Sequence, residues 1–156
     1  MRRFLKEETC RSMKNTTRLL NELKSAKSFV GFADKNTNVF SDESISDYLQ
    51  RLCYERNVEL AQVIKRSGID RTYGYQLFNG RRSPSRDKLI QLGFGFPLVL
   101  SELQMLLRMA GKSQLYPRIR RDAAIIYGLN NNYTVTQMQE LLEEQELPLL
   151  DKYDEK

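Results

Sequence analysis

The chain contains no histidine and no tryptophan among its 156 residues, and only two cysteines. Without histidine it lacks the side chain that most often serves as a general base or a zinc ligand. Cys10 and Cys53 lie far apart and form no Cys-X-X-Cys pair, so neither a zinc site nor a disulfide framework is indicated. We therefore expect two ordinary core thiols, no metal and no cofactor.

Long apolar runs are missing as well. No stretch approaches the roughly 18 apolar residues of a membrane span. Met1-Arg2-Arg3-Phe4-Leu5 is followed by charged residues rather than by the apolar core of a signal peptide. The sequence therefore predicts a cytoplasmic protein that does not act at a membrane.

Proline and glycine are scarce, with four and eight residues. Leu, Lys, Arg, Gln and Glu are abundant, and apolar residues never alternate over a sustained stretch, which favours helix nearly throughout. We predict an all-α protein with one core and an N-terminal arm.

The net charge is +5, and it is unevenly distributed. Residues 1–28 and 47–86 carry the basic excess, while acidic residues from Glu140 to Glu155 dominate the C-terminus. A basic middle segment suits DNA, because each neutralised phosphate releases counterions. On charge alone, a solvated helical surface is an equally good interpretation.

Two segments precede the basic middle. Leu5 to Lys27 has the spacing of one amphipathic helix, whose apolar stripe includes Met13, Leu20 and Leu23 and needs a partner. That partner is either another part of this chain or a second copy of it. Phe29 to Phe40 mixes aromatic residues with Gly and Asn, and we interpret it as an irregular connector whose aromatic side chains pack on the core.

The middle of the chain carries two short helical patterns joined by a tight turn. Val58 to Arg66 forms the first, and Gly68 follows it at a position that tolerates positive φ. Asp70 has the chemistry of an N-cap for the second, Arg71 to Phe78, which Asn79-Gly80 ends. Two short helices joined by a Gly-containing turn are typical of the helix-turn-helix motif, whose second helix enters the major groove of DNA.

These residues resemble the lambda-repressor-like, or XRE-type, helix-turn-helix DNA-binding family. The resemblance covers roughly residues 45–96: Leu77-Phe78-Asn79-Gly80 is similar to the end of a family recognition helix, and Arg81-Arg82-Ser83-Pro84-Ser85 is similar to the basic loop that follows it. The resemblance implies a five-helix DNA-binding domain. Family members usually have a small Ala where this chain has Ile64 and a β-branched residue where it has Gly74.

The wider chain, including Leu115-Tyr116-Pro117-Arg118, also looks like a group of single-motif regulators from Gram-positive gut bacteria. We expect three parts: an N-terminal amphipathic helix and connector at residues 1–43, the helix-turn-helix domain at 44–97, and a C-terminal helical extension with an acidic tail at 98–156.

Five further helices are predicted outside the two motif helices. They are Tyr48 to Arg56, one that opens at Ser83-Pro84-Ser85 and breaks at residues 93–97, Leu98 to Ala110, Arg118 to Leu129, and a last one capped by Thr134 or Thr136. In the fourth of these, Ile119, Ala123, Ile126 and Tyr127 are expected to face inward. The acidic tail from Glu143 is expected to fray at its end.

On a helix beginning at Arg71, one face holds Gly74, Leu77 and Phe78, which would pack. The opposite face would reach the groove with side chains that read bases, since Arg pairs with guanine, Gln with adenine, and Thr contacts thymine or donates a hydrogen bond. The resemblance implies the same positions. Alternatively, the ring of Tyr73 or Tyr75 turns inward to fill the space beside Gly74. The predicted base-contact residues are Arg71, Thr72, Tyr75 and Gln76.

Basic and polar residues follow the second motif helix, where the family fold places the loop beside the phosphate backbone. Such contacts fix the register of a protein on DNA without reading its sequence. Two cations at the end of the first motif helix add to this set, although a favourable interaction with the helix dipole explains them equally well. The predicted phosphate-contact residues are Asn79, Arg81, Arg82, Ser85, Arg86, Lys65 and Arg66.

These features favour a sequence-specific transcriptional regulator that binds double-stranded DNA as a homodimer, since one short helix reads only a few base pairs. The alternative is a protein-interaction or adaptor protein, for example an antitoxin-like one, that keeps this fold while its apolar C-terminal helices bind a protein effector. An enzyme is the least favoured class, because no Gly-rich phosphate loop, metal-ligand spacing or activated nucleophile is present.

Overall fold

The computed structural model describes residues 17–37 and 43–151, and every regular element within these ranges is an α-helix. The predicted all-α class is therefore confirmed for this part of the chain. Residues 1–42 and 43–156 form two compact units, which we describe separately. In the described ranges no helix is both long enough and apolar enough to cross a membrane.

The first unit contains α1 at residues 17–25 and α2 at Phe29–Lys35. The prediction of an irregular connector is thus wrong as far as Lys35. The reason is a local cap: the Ser28 hydroxyl accepts a hydrogen bond from the Gly31 amide at 3.2 Å and so begins a new helix.

Apolar side chains of the first unit remain exposed. Phe29 and Val30 are each 69% exposed, whereas Phe32 is buried. Leu20 and Leu23 of the predicted apolar stripe are 48% and 43% exposed. The described part of that stripe is therefore largely open to solvent. The remainder of the predicted helix and connector, with Met13 and Phe40, lies outside the described residues.

The second unit contains seven helices in its described residues, all of them predicted, with ends that differ by a few residues. They are α3 at Ile45–Arg56, α4 at Leu60–Arg66, α5 at Arg71–Phe78, α6 at Arg86–Gly95, α7 at Leu100–Met109, α8 at Arg120–Asn130 and α9 at Val135–Glu144.

Four of these helices begin at a side-chain N-cap; Asp70 is the predicted cap of its helix, and Thr134 is one of the two predicted alternatives. The side chains of Ser44, Asp70, Ser85 and Thr134 each accept a hydrogen bond from the backbone amide three residues later. Thr134 also forms a reciprocal capping box with Gln137. Each cap satisfies an amide that the helix leaves without an internal acceptor, and so fixes where the helix begins.

Helix α6 lies at the centre of the second unit, and its residues from Lys88 to Gly95 are all buried. It contacts α4, α7 and α9. Because α7 and α9 pack on the same helix as α4, residues 44–97 and the helices that follow them share one hydrophobic core.

Helix α6 ends at Gly95, inside the segment 93–97 where the sequence predicts a break. Gly93 and Gly95 themselves lie within the helix and serve close packing. A Cβ atom at Gly95 would lie 2.8 Å from the carbonyl oxygen of Val63 and would collide with the Ser67 hydroxyl, and one at Gly93 would lie 3.0 Å from Leu103. The missing side chains let α4 and α7 approach the backbone of α6.

Helix α8 turns a different face inward from the one predicted. Ile119 and Tyr127 are more than half exposed, whereas Asp122 is buried. Hydrogen bonding explains this orientation of α8. The Asp122 carboxylate accepts hydrogen bonds from Arg86 and from the Tyr116 amide, and a buried carboxylate must face its donors. The other two predicted inward residues, Ala123 and Ile126, are half-buried.

The end of the acidic tail, where fraying is predicted, lies outside the described residues, whereas the segment from Glu143 to Asp151 packs on the core. Helix α9 continues to Glu144, and Leu150 is buried. The Gln139 side chain donates to the Leu150 carbonyl and accepts from the Leu150 amide, each at 2.8 Å. Hydrogen bonds to the backbone therefore hold the acidic segment on the core up to the last described residue.

The large side chain of Ile64 and the missing side chain of Gly74 compensate each other. A Cβ atom at Gly74 would lie 2.6, 2.8 and 2.9 Å from three carbon atoms of Ile64. The large residue of α4 thus occupies the space that the missing side chain of α5 leaves. The suggestion that Tyr73 or Tyr75 turns inward to fill this gap is wrong, and both rings are half-buried.

The variant Gly74→Ala tests this packing. Alanine favours a helix by about 1 kcal/mol over glycine, but overpacking against Ile64 costs about 1–3 kcal/mol. We therefore expect urea denaturation to show a free energy of unfolding lower by up to about 2 kcal/mol. In an Ile64→Ala background, which removes the clashing atoms, the same change should be neutral or stabilising. Equal effects of Gly74→Ala in the two backgrounds would contradict this packing.

Candidate nucleic-acid interface

A short turn, residues 67–70, joins α4 to α5. Gly68 adopts a φ of +68°, as predicted, and the side chain of Ile69 is buried. The Gly68 amide donates to the carbonyl of Lys65 at 3.2 Å. A left-handed glycine and one buried side chain thus hold the two helices in contact across a tight connection.

Helix α5 has one buried face and one accessible face. Gly74, Leu77 and Phe78 are buried, as predicted. The four predicted base-contact residues lie together on the accessible side: Arg71 and Thr72 are exposed, and Tyr75 and Gln76 are half-buried. The Arg71 guanidinium carbon lies 5.8 Å from the centre of the Tyr75 ring, so a cation–π contact orients this arginine along the helix.

The loop after α5 is tied to that helix by its backbone. The amides of Arg81 and Arg82 both donate to the Gln76 carbonyl, at 3.0 and 3.2 Å. The Asn79 side-chain oxygen also accepts from the Arg81 amide at 3.1 Å, which leaves its NH₂ group to donate. Both arginine side chains are exposed, and the guanidinium carbon of Arg82 lies 5.3 Å from the centre of the Tyr73 ring. The loop therefore presents two cations in a fixed relation to α5.

The remaining predicted phosphate-contact residues differ in their exposure and in the hydrogen bonds that they already form. Lys65 and Arg66 are exposed at the end of α4. The Ser85 hydroxyl oxygen caps α6 by accepting from the Lys88 amide at 3.2 Å, and its O–H can still donate.

Arg86 is already engaged within the protein. Its guanidinium donates to both carboxylate oxygens of Asp122, at 3.2 and 3.0 Å, and to the carbonyls of Ser113 and Gln114, at 2.9 and 3.1 Å. These four hydrogen bonds use most of the five donors of the guanidinium. A phosphate contact of Arg86 stays a prediction, and this geometry disfavours it.

Two further charged residues have structural roles that the sequence does not reveal. Lys88 is 2% exposed, donates from Nζ to the Asp151 carbonyl at 2.9 Å, and lies 5.5 Å from the centre of the Tyr73 ring. Arg121 forms a bidentate pair with Asp87 at 3.0 and 2.9 Å. A prediction from apolar periodicity places every charged residue on the outer face of a helix. It therefore cannot identify the structural role of Lys88 or of Arg121.

Cys53 is half-buried, and burial raises the pKa of its thiol. A raised thiol pKa lowers the thiolate fraction and so disfavours a reactive cysteine. Cys10 lies outside the described residues. Among the residues the structure describes, no group of three or more His, Cys, Asp or Glu side chains could hold a metal ion.

Comparison of the chain with protein-family models, curated proteins and solved structures finds no match. Function is therefore inferred from the residues and their geometry alone.

Replacing Asp122 by Ala should destabilise the second unit strongly, because Arg86 and the Tyr116 amide lose their shared buried acceptor. Removing one partner of a buried ion pair costs about 3–5 kcal/mol. Since Arg86 keeps a side-chain exposure of 24%, we expect a loss of about 3 kcal/mol in urea denaturation.

Glu55→Ala is the matched control, because it removes a carboxylate from a solvent-accessible pair with Arg51. Its cost should stay below about 1 kcal/mol. Similar losses for the two variants would contradict a structural role for Asp122.

Proposed function

We propose that this protein is a sequence-specific DNA-binding transcriptional regulator that inserts α5 into the major groove. In this proposal residues 44–97 form a lambda-repressor-like domain, with α4 and α5 as its helix-turn-helix. The two-faced helix α5 carries the proposal: its apolar face packs on the core, and its accessible face holds a set of base-reading side chains that leads into a basic loop.

The accessible side chains of α5 suit direct readout. Arg71 can bind the O6 and N7 atoms of guanine with two parallel hydrogen bonds, and Gln76 can bind adenine in the same way. Thr72 can contact a thymine methyl group. The contact of Arg71 with the Tyr75 ring limits the directions that the guanidinium explores, which lowers the entropic cost of placing it in the groove.

The proposed phosphate contacts are Asn79, Arg81, Arg82, Ser85, Lys65 and Arg66. Because the amides of Arg81 and Arg82 share the Gln76 carbonyl, a phosphate held by this loop would be in register with the bases that α5 reads. Such contacts supply most of the affinity without sequence information.

A homodimer is part of the proposal, since an eight-residue recognition helix covers only a few base pairs. Two copies on half-sites about 34–36 Å apart would double the contact.

The exposed Phe29 and Val30 of α2 favour a second candidate function, in which the chain is an adaptor and this apolar surface binds another protein.

Selection from a random-sequence duplex library distinguishes the DNA-binding regulator from the adaptor. We expect the purified chain to enrich a palindrome with half-sites one helical turn apart, because a symmetric dimer reads each strand once. Sequencing of the selected duplexes gives the operator directly. Weak binding without enrichment, lost at physiological salt, would reject the regulator and favour the adaptor.

The variant Arg81→Ala/Arg82→Ala should weaken binding to all DNA. Its slope of log affinity against log salt should flatten by about 0.9 for each lost phosphate contact.

Gln76→Ala should instead cost about 1–3 kcal/mol, mainly on the preferred site. Fluorescence anisotropy with specific and random duplexes measures both effects. An unchanged salt slope would remove the two arginines from the phosphate set, and equal losses on both duplexes would remove Gln76 from the readout set.

A further inference from the structure

We infer that a groove beside the recognition loop binds a phosphate group, and that Lys112, from the C-terminal extension, supplies one of its two cations. The inference rests on the proposed function and extends the DNA footprint beyond the helix-turn-helix segment. The groove has a volume of about 460 Å³. Its walls come from the start of α3, the end of α5, the loop after α5 and the end of α7, and include Ser44, Ser46, Gly80, Arg82, Ser83 and Lys112.

The chemistry of this groove is that of an oxyanion site. Two cations, Arg82 and Lys112, line it together with Ser44, Ser46 and Ser83, and no Asp or Glu is among its lining residues. The Ser44 and Ser46 hydroxyls share a hydrogen bond of 3.0 Å, so one of the two O–H groups, with that of Ser83, is left to donate to a ligand. Neither cation forms an ion pair within the described part of the chain. Hydroxyl and cationic donors around one space match the acceptor oxygens of a phosphate, which also relieves the repulsion between the two positive charges.

The position of Lys112 is fixed by the way α7 ends. Gly111 adopts a φ of +67°, and the Lys112 amide then donates to the Leu107 carbonyl at 2.9 Å. This turn closes the helix and directs the chain along the groove. The Lys112 side chain is exposed, so it is available to a ligand.

Arg86 holds the next residues of this loop against the basic segment. It donates to the carbonyls of Ser113 and Gln114, while the Leu115 backbone is bound by the side chain of Gln104, with both hydrogen bonds at 2.8 Å. Arg86 is the first residue of α6, directly after the loop that carries Arg82. Arg86 is therefore a positioning residue: it keeps Lys112 beside the groove.

The opposite wall is attached to the recognition helix. The Arg82 guanidinium packs near the Tyr73 ring of α5. A Cβ atom at Gly80 would lie 3.2 Å from the Ser46 hydroxyl oxygen, so the end of α5 and the start of α3 meet closely here. A phosphate in this groove would therefore be held in register with the bases that α5 contacts.

The variant Lys112→Ala tests the assignment in the full chain. With the selected duplex, we expect affinity to fall about three- to tenfold and the salt slope to flatten by about 0.9. Lys112→Arg should restore both values, because it keeps the charge. Arg108→Ala is the matched control: it removes an exposed cation one turn earlier, on α7, that does not line the groove, and should leave the slope unchanged.

Titration of the isotope-labelled chain with inorganic phosphate separates the two proposals. We expect NMR shifts of the Ser46, Gly80 and Ser83 amides in the wild type and smaller ones in Lys112→Ala. If no DNA binds but these shifts occur, the groove binds free phosphate and only the regulator is rejected. If DNA binds and Lys112→Ala changes neither the salt slope nor the phosphate shifts, only the groove is rejected. A change in slope without phosphate shifts assigns the groove to the DNA backbone.

Discussion

The burial of α6 is the constraint on which the second unit depends. Since its residues from Lys88 to Gly95 have no access to water, every polar group among them needs a partner inside the protein. Lys88 meets this need at the carbonyl of Asp151. The Gln91 amide nitrogen donates to the carbonyl of Ser67 at 3.2 Å, whereas its buried Oε1 accepts no hydrogen bond within the described part of the chain. One buried helix thereby fixes both the turn before α5 and the segment after α9.

The first turn of α6 sets the register of α8. Arg86 and Asp87 have opposite charges, and they pair with Asp122 and Arg121, two neighbours whose charges are arranged in the complementary order. A shift of α8 along α6 would place like charges together or leave a buried charge without a partner, which is costly. These two pairs therefore favour one register of α8 against α6. They also hold the start of α6, and with it the basic loop just before.

The pairing of cations separates structural charges from those available to a ligand. Arg51, Arg56, Arg86 and Arg121 of the second unit each have a carboxylate partner. In the described part of the chain, Arg71, Arg81 and Arg82 have none, and they lie together on α5 and the loop that follows it. The other arginines of the second unit without a carboxylate partner are dispersed over α4, α7 and the region around the start of α8: Arg66, Arg108, Arg118 and Arg120. The positions of the unpaired arginines indicate a binding surface better than the net charge of +5 does. The reason is that a charge neutralised within the fold adds little to the electrostatic field at the surface.

The sequence by itself determined the all-α class, the second unit's helices, the N-cap at Asp70, and the two faces of α5. These features depend on residues within one turn of each other, so local hydrogen bonds and apolar spacing suffice to predict them. Only the tertiary structure decided that Ile64 fills the space at Gly74, that α8 turns Asp122 inward, and that Arg86 holds the loop after α7. Each of those outcomes joins residues far apart in the chain, and a buried polar group takes its orientation from a partner that no local pattern identifies.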